Sequence, residues 1–342
     1  KYKEIGIEVK EFALLTSNNL IYWLFFPFFL CLDYLKLKSL IPQNSIIISS
    51  MFPMNYLASL LSKKTVYYCF EPFALFYDQD LIKSFSLIKQ LSLNLLTLLY
   101  SSLDKIAALK NKYLITINPS VGKFVKKIYK KNPDDYSYLG VDSDFFNPQQ
   151  EPLYKKKKSQ VNLFHSTDYT PLKGTDYLID AMIALKQKNV YLYISESVKN
   201  EQVKNKYLRI IKKYKLDDQI HFLGHLRYSD LPRIYSFCDI YCFTGDPDSQ
   251  GATAASLSVL EASSSGLAII RSIGNDDEII EGKTGFFVDP RDTQSLKQVI
   301  EKLTKDKKLI KQMGKAGRRY ILSKYQWHKV AQVISKKLLM FK

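Results

Sequence analysis

Apolar residues along this chain fall into two kinds of run. In the first half, short runs rich in β-branched and aromatic residues occur at 7–15, 45–49, 65–69, 113–117 and 136–139, separated by longer stretches with apolar residues at helical spacing. This alternation predicts βαβ units on a parallel sheet. The longest helical pattern, 81–109, carries Leu, Ile and Phe at three- and four-residue steps, with Lys83, Lys89, Lys105 and Lys110 interspersed. It predicts a long amphipathic helix, or two helices, with the apolar side covering the sheet. The pattern breaks at 147–158, where Pro148, Gln149, Gln150, Pro152 and the lysines Lys155 to Lys158 can build no core element. Strand patterns resume at 161–164, 190–194, 219–223, 239–243, 267–270 and 286–288, each followed by a helical pattern or a glycine-bearing turn. A last amphipathic pattern, 326–342, is long enough to reach back to the first half.

The expectation is therefore α/β, with two Rossmann-like doubly wound domains facing a central cleft: 1–150, 151–325, and a returning helix at 326–342. Ligands of such sheets bind at the carboxyl ends of the strands. The four cysteines, Cys31, Cys69, Cys238 and Cys242, are too scattered for a secreted disulfide framework, which favours a reducing cytoplasm. Cys238 and Cys242 lack a second ligand pair and read as buried thiols, so no metal is expected from them. The run 20–32 contains Pro27 and falls short of the roughly 20 apolar residues a membrane-spanning helix needs. Acidic residues precede it, which argues against a signal peptide. Residue 1 is Lys, so the sequence is expected to begin inside its gene product.

The net charge of +17 implies an anionic partner, either a phosphorylated metabolite, a membrane surface or a nucleic acid. No zinc pattern, arginine-rich arm or aromatic RNA-binding motif accompanies it, which sets nucleic acid aside. The aromatic run 21–29, together with the lysines of 81–110, could place the first domain on the cytoplasmic face of an anionic bilayer as a peripheral contact. Packing of those aromatics against the sheet is the competing expectation.

Four stretches carry the candidate chemistry: YLGVDSDFFNP at 138–148, FHSTDYTPLKGTDYLIDA at 164–181, TAASLSVLEASSSG at 253–266 and GKTGFFVDP at 282–290. In this order and at these separations they resemble the GT4 family (glycosyl transferases group 1) of retaining glycosyltransferases, which have the GT-B fold. WHKVAQVI at 327–334 resembles the terminal helix of that family. The resemblance implies transfer of a hexose from a UDP- or GDP-sugar to a saccharide or lipid-linked acceptor in surface polysaccharide or glycan assembly. The nucleotide-sugar is then a substrate, and no cofactor or metal is implied.

A diphosphate leaving group needs cations or aligned N–H groups for its growing charge. Lys173 is the candidate cation, in a turn where Gly174 permits close backbone approach; a solvated lysine beside a helix start would look the same. Ser166 and Thr167 lie in the same motif and are donor-binding candidates. Glu261 sits in an apolar helical stretch where a lone carboxylate wants a partner. In the family the matching glutamate accepts the ribose hydroxyls; a helix glutamate turned to solvent is the alternative. Ser256 and Leu257 fall where that helix begins and should offer it free amides. Ser195, Glu196 and Gly224 follow strand patterns and are expected to line the nucleotide pocket, although ordinary turns would read alike. Glu71, before Pro72, is an acceptor-side candidate.

Three positions depart from the family pattern. Thr253 stands where a second glutamate usually contacts the donor sugar, Asp168 where an arginine usually accompanies the lysine, and Phe70 where some members carry histidine. The glycine-rich loop and first strand expected at the start of the amino domain are missing from the pattern. These departures motivate an alternative: a catalytically degenerate nucleotide-sugar-binding or partner subunit of a glycosyltransferase complex.

Overall fold

A computed structural model describes residues 7–8, 19–83, 85–170, 173–185, 187–247, 256–274 and 277–341. The expected strand at 7–15 falls almost entirely outside the described residues, as do Thr253 and the rest of 248–255. The first sheet consists of β1 (Ile47–Ser49), β2 (Thr65–Cys69), β3 (Tyr113–Thr116) and β4 (Asp135–Tyr136), all parallel and in that order. β4 is shorter than the pattern at 136–139, because Tyr138 and Leu139 leave the ladder and pack on the second domain's core.

The second sheet has six parallel strands in the order β10-β9-β8-β5-β6-β7. They are β5 (Val161–Thr167), β6 (Val190–Glu196), β7 (Ile220–Gly224), β8 (Ile240–Phe243), β9 (Ala268–Ser272) and β10 (Gly285–Val288). Their sequences are mainly apolar because both faces of the inner strands are covered. Val161, Leu163, Ile240, Cys242, Ala268 and Ile270 face one core, while Phe164, Tyr241 and Ile269 face the other. The period-two alternation of a strand thus supplies two cores at once. Strand order reverses between β5 and β8, which opens a crevice at their carboxyl ends.

Packing passes to the second domain earlier than the expected boundary at 150. Val141 and Phe146 belong to the second core, and Arg318 donates to the carbonyls of Ser143 and Phe146. The last helix, Trp327–Leu339, lies against the first domain: Ser137 Oγ donates to the Val330 carbonyl, and Lys337 pairs with Asp135 at 3.3 Å. Gly140 makes this approach workable, since a Cβ there would fall 2.4 Å from the Trp327 ring.

Of the two readings of 81–109, one helix or two, the structure has two. The stretch 81–109 becomes the end of a short helix, Gln79–Lys83, and a 24-residue helix, Leu87–Lys110. Leu93, Ala107 and Ala108 are buried, yet Leu87, Ile88, Leu91 and Leu98 are exposed, so this helix has an outward apolar face as well as an inward one. The aromatic run 21–29 is split by the helices Asn19–Leu24 and Phe26–Leu40. Tyr22, Trp23 and Phe26 pack with Phe52 and Phe76, while Phe25 and Phe28 remain exposed. Among the described residues no helix is long and apolar enough to cross a membrane.

Candidate active site

The crevice is built from the ends of β5 and β8. At the end of β5, buried His165 donates through Nδ1 to the Cys242 carbonyl at 2.9 Å, which turns Nε2 to Thr175 Oγ1 at 3.1 Å. Burial is the main reason its pKa falls to about 4, and the charge of Lys173 adds to it, so the ring is neutral near pH 7. Thr167 and Thr175 hydroxyls are hydrogen-bonded at 2.8 Å, and Thr167 Oγ1 also accepts from the Tyr169 amide. This network stitches the end of β5 to the start of helix Thr175–Leu185.

The turn between them presents Lys173. Gly174 has φ +62°, and a Cβ there would lie 1.8 Å from the Thr244 carbonyl oxygen, so only glycine fits. Thr244 Oγ1 donates to the Gly174 carbonyl at 2.9 Å, tying the loop after β8 to the loop after β5. Lys173 is 38% exposed, with Nζ 3.9 Å from Asp168 Oδ2. The other Asp168 oxygen accepts from the Thr170 amide and hydroxyl. The residue standing in the usual arginine position is therefore a carboxylate placed beside the candidate phosphate-binding cation.

Glu261 lies on helix Leu257–Ser264, after β8, and is half-buried. Tyr235 OH donates to its Oε2 at 3.2 Å. Desolvation raises its pKa from 4.5 to about 7, against a smaller lowering by Tyr235. The side chain thus has a partner, but a weak one for a carboxylate, and keeps capacity to accept further hydrogen bonds. The Ser256 amide is not free as expected: it donates to the buried Glu278 carboxylate, which pairs with the buried guanidinium of Arg271. Leu257 opens the helix and is exposed.

Ser166, Ser195 and Glu196 line one cavity of about 320 Å³ with His225 and Tyr228. Ser195 Oγ donates to Ser166 Oγ at 3.0 Å. Glu196 lines this cavity as a fixed wall, because its carboxylate is taken by Tyr169 OH and by Lys204 at 2.8 Å. Gly224 closes β7 with φ +72° and open space where a Cβ would be. Glu71 lines a separate cavity of about 230 Å³ in the first domain with Ser50, Phe70 and Phe73. Although the residue is exposed, desolvation of its carboxyl, and secondly the charge of Asp78, hold its pKa above the usual range. Among the described residues no group of three or more His, Cys, Asp or Glu side chains is placed to hold a metal ion.

Sequence reasoning missed His165, Tyr235 and the Arg271–Glu278 pair. The last had a readable signal: a single arginine inside the apolar run at 267–272 needs a buried counter-charge, and Glu278 precedes the apolar pair Ile279 and Ile280.

The sequence profile of the glycosyl transferases group 1 family matches residues 147–320, half of the chain and nearly all of the second domain. The chain belongs to this family. A GDP-mannose-dependent alpha-(1-6)-phosphatidylinositol monomannoside mannosyltransferase of Mycobacterium tuberculosis is 24% identical over 212 residues, covering 58% of this chain and 53% of the relative. Mannosylfructose-phosphate synthase of Agrobacterium fabrum is 27% identical over 169 residues, covering 47% and 36%. The chain thus spans about half the length, or less, of these curated relatives. A glycosyltransferase from Rickettsia africae superposes with a TM-score of 0.76 at 18% identity, over 99% of this chain and 86% of that one. Sucrose-phosphate synthase from Thermosynechococcus elongatus gives 0.72 at 16% identity, over 96% and 81%. These likenesses carry the fold, which for this group 1 glycosyltransferase family member is GT-B.

Proposed function

We infer that this chain transfers a hexose from a UDP- or GDP-sugar to a saccharide or lipid-linked acceptor, with retention and without a metal. The carrying observation is the placement of Lys173 on a glycine-locked turn after β5 and of Glu261 on the helix after β8, the two strands between which strand order reverses. The donor diphosphate would lie against Lys173 and the start of helix Leu257–Ser264, and Glu261 would accept the ribose hydroxyls. In the reaction the bond from the anomeric carbon to the phosphate oxygen breaks and the acceptor oxygen bonds to that carbon on the same face. The acceptor proton passes to a phosphate oxygen, and the nucleoside diphosphate leaves. Glu71, which lines a cavity of the first domain, would orient the acceptor. The GDP-mannose dependence of the mycobacterial relative puts GDP-mannose first among donors to try.

The placement of Asp168 near Lys173 favours one competing reading, a degenerate subunit that binds nucleotide-sugar without turnover. A thermal-shift panel of UDP-, GDP- and ADP-sugars tests the first reading, since a ligand of the folded state raises the melting temperature. Lys173→Ala should abolish the shift given by the best donor while leaving the unliganded melting temperature unchanged. An equal shift in parent and variant would remove Lys173 from the site. Product formation with that donor separates the enzyme from the degenerate subunit.

A further inference from the structure

We propose that the outward face of helix Leu87–Lys110 docks the first domain onto an anionic phospholipid bilayer. Leu87, Ile88, Leu91, Leu95, Leu98 and Leu109 are each between 56% and 81% exposed. At about 100° per residue they fall within a third of the helix circumference, and they run along roughly 33 Å of axis. Side chains this exposed form an apolar patch of several hundred Å², as large as the largest on ordinary monomers. The opposite face of the same helix is spoken for, with Leu93, Asp104, Ala107 and Ala108 buried.

The charge around the patch selects the occupant. On this helix the one acidic residue, Asp104, is buried, whereas Lys89, Lys105 and Lys110 are exposed. Lys105 lies five helical turns from Leu87, in line with it, so it stands on the margin of the apolar stripe. Against a second copy of this chain, such a lysine would be buried facing another cationic rim. Against a bilayer its stem can lie on the apolar surface while the ammonium reaches the lipid phosphates. A helix lying in the plane of an interface, apolar below and basic at its edges, has this composition. The proposal deepens the lipid-linked branch of the acceptor reading, but vesicle binding is read without donor and so fails or succeeds separately from sugar transfer.

Co-sedimentation of the full chain with vesicles of phosphatidylcholine, alone or mixed with phosphatidylglycerol, tests it. The parent should partition onto the mixed vesicles, less so on raising salt from about 0.1 to about 1 M, where screening shortens from about 10 to about 3 Å. Leu91→Gln combined with Leu98→Gln, both at exposed positions, should reduce partition about tenfold or more with an unchanged melting temperature. Lys105→Gln with Lys110→Gln should remove the preference for phosphatidylglycerol. No partition of the parent, or equal partition of the leucine variant, overturns the proposal. So does a parent dimer in analytical ultracentrifugation that the leucine variant dissociates without any vesicle binding, since the occupant is then a second copy.

Discussion

Replacing Glu261 with Gln should make the unliganded protein more stable and its donor binding weaker. The carboxyl is half-buried with a single hydrogen-bond partner among the described residues, Tyr235, at 3.2 Å, and its pKa is raised from 4.5 to about 7. An acid whose folded pKa lies above its unfolded value makes folding take up protons, so stability falls as pH rises through the window between the two. Below 4.5 the ionisation penalty is absent, between 4.5 and about 7 it accumulates, and above that it is complete. At about 1.4 kcal/mol per unit the full shift corresponds to about 3 kcal/mol, and partial exposure to water brings it to about 1–2 kcal/mol. Glutamine keeps an acceptor for Tyr235 and carries no charge, so it should recover that amount. For a domain of this size the gain is a melting temperature higher by about 2–8 °C at pH 8, shrinking toward zero near pH 4.5.

The binding side has the opposite sign. A carboxylate receives ribose hydroxyls as charge-assisted bonds worth about 1.5–3 kcal/mol each, against about 1 for a neutral amide. Calorimetry with a nucleotide-sugar, whose diphosphate diester does not itself titrate in this range, should show parent affinity rising with pH up to about 7. The Gln variant should bind about 3- to 30-fold more weakly and with a flat pH profile. A variant that melts below the parent at pH 8 would make Glu261 a structural acceptor for Tyr235 and refute the burial argument. Unchanged donor affinity would refute the ribose role.

Asp168→Asn removes the negative charge 3.9 Å from Lys173. Because the pair is partly exposed, its attraction is on the order of 1 kcal/mol, so nucleotide-diphosphate affinity by titration calorimetry should rise several-fold; an unchanged or lower affinity would mean the phosphates do not approach Lys173. Gly174→Ala must bring a Cβ within 1.8 Å of the Thr244 carbonyl at φ +62°. It should cost about 2 kcal/mol or more in urea-induced unfolding, and a loss below about 1 kcal/mol would show that the two loops can part freely.

Much of the second domain was legible because its inner strands are buried on both faces, so they read as mainly apolar runs between turns. The glycine at 174 was equally legible, since a Lys-Gly step before a helical pattern marks the turn that the structure locks against Thr244. The first domain was less so. Periodicity locates apolar positions on 81–109 but cannot say which of two apolar faces will find the sheet, and the structure leaves one of them outside. The aromatic run 21–29 divides between the two readings its sequence left open: a helical break between Leu24 and Phe26 sends Trp23 and Phe26 into the core while Phe25 and Phe28 turn outward. Ser256 was expected to keep a free amide, but capping by a side chain 22 residues away leaves no local trace.

That capping contact explains why a fully buried ion pair persists beneath the crevice. Arg271 and Glu278 are both removed from water, a cost that hydrophobic side chains of similar volume would avoid. Here the second carboxylate oxygen of Glu278 holds the Ser256 amide, where helix Leu257–Ser264 begins, so the pair fixes the origin of the element that carries Glu261. The guanidinium also lies 5.1 Å from the centre of the Phe243 ring at the end of β8, joining β8, β9 and that helix at one point. Because the pair is neutral as a whole, it anchors the helix without placing a net negative charge beneath a site that has to receive a diphosphate. An amide at 278 would reach as far but has one acceptor oxygen where the carboxylate offers Arg271 and Ser256 one each, and Glu278 alone would repel the anion that the helix start would meet.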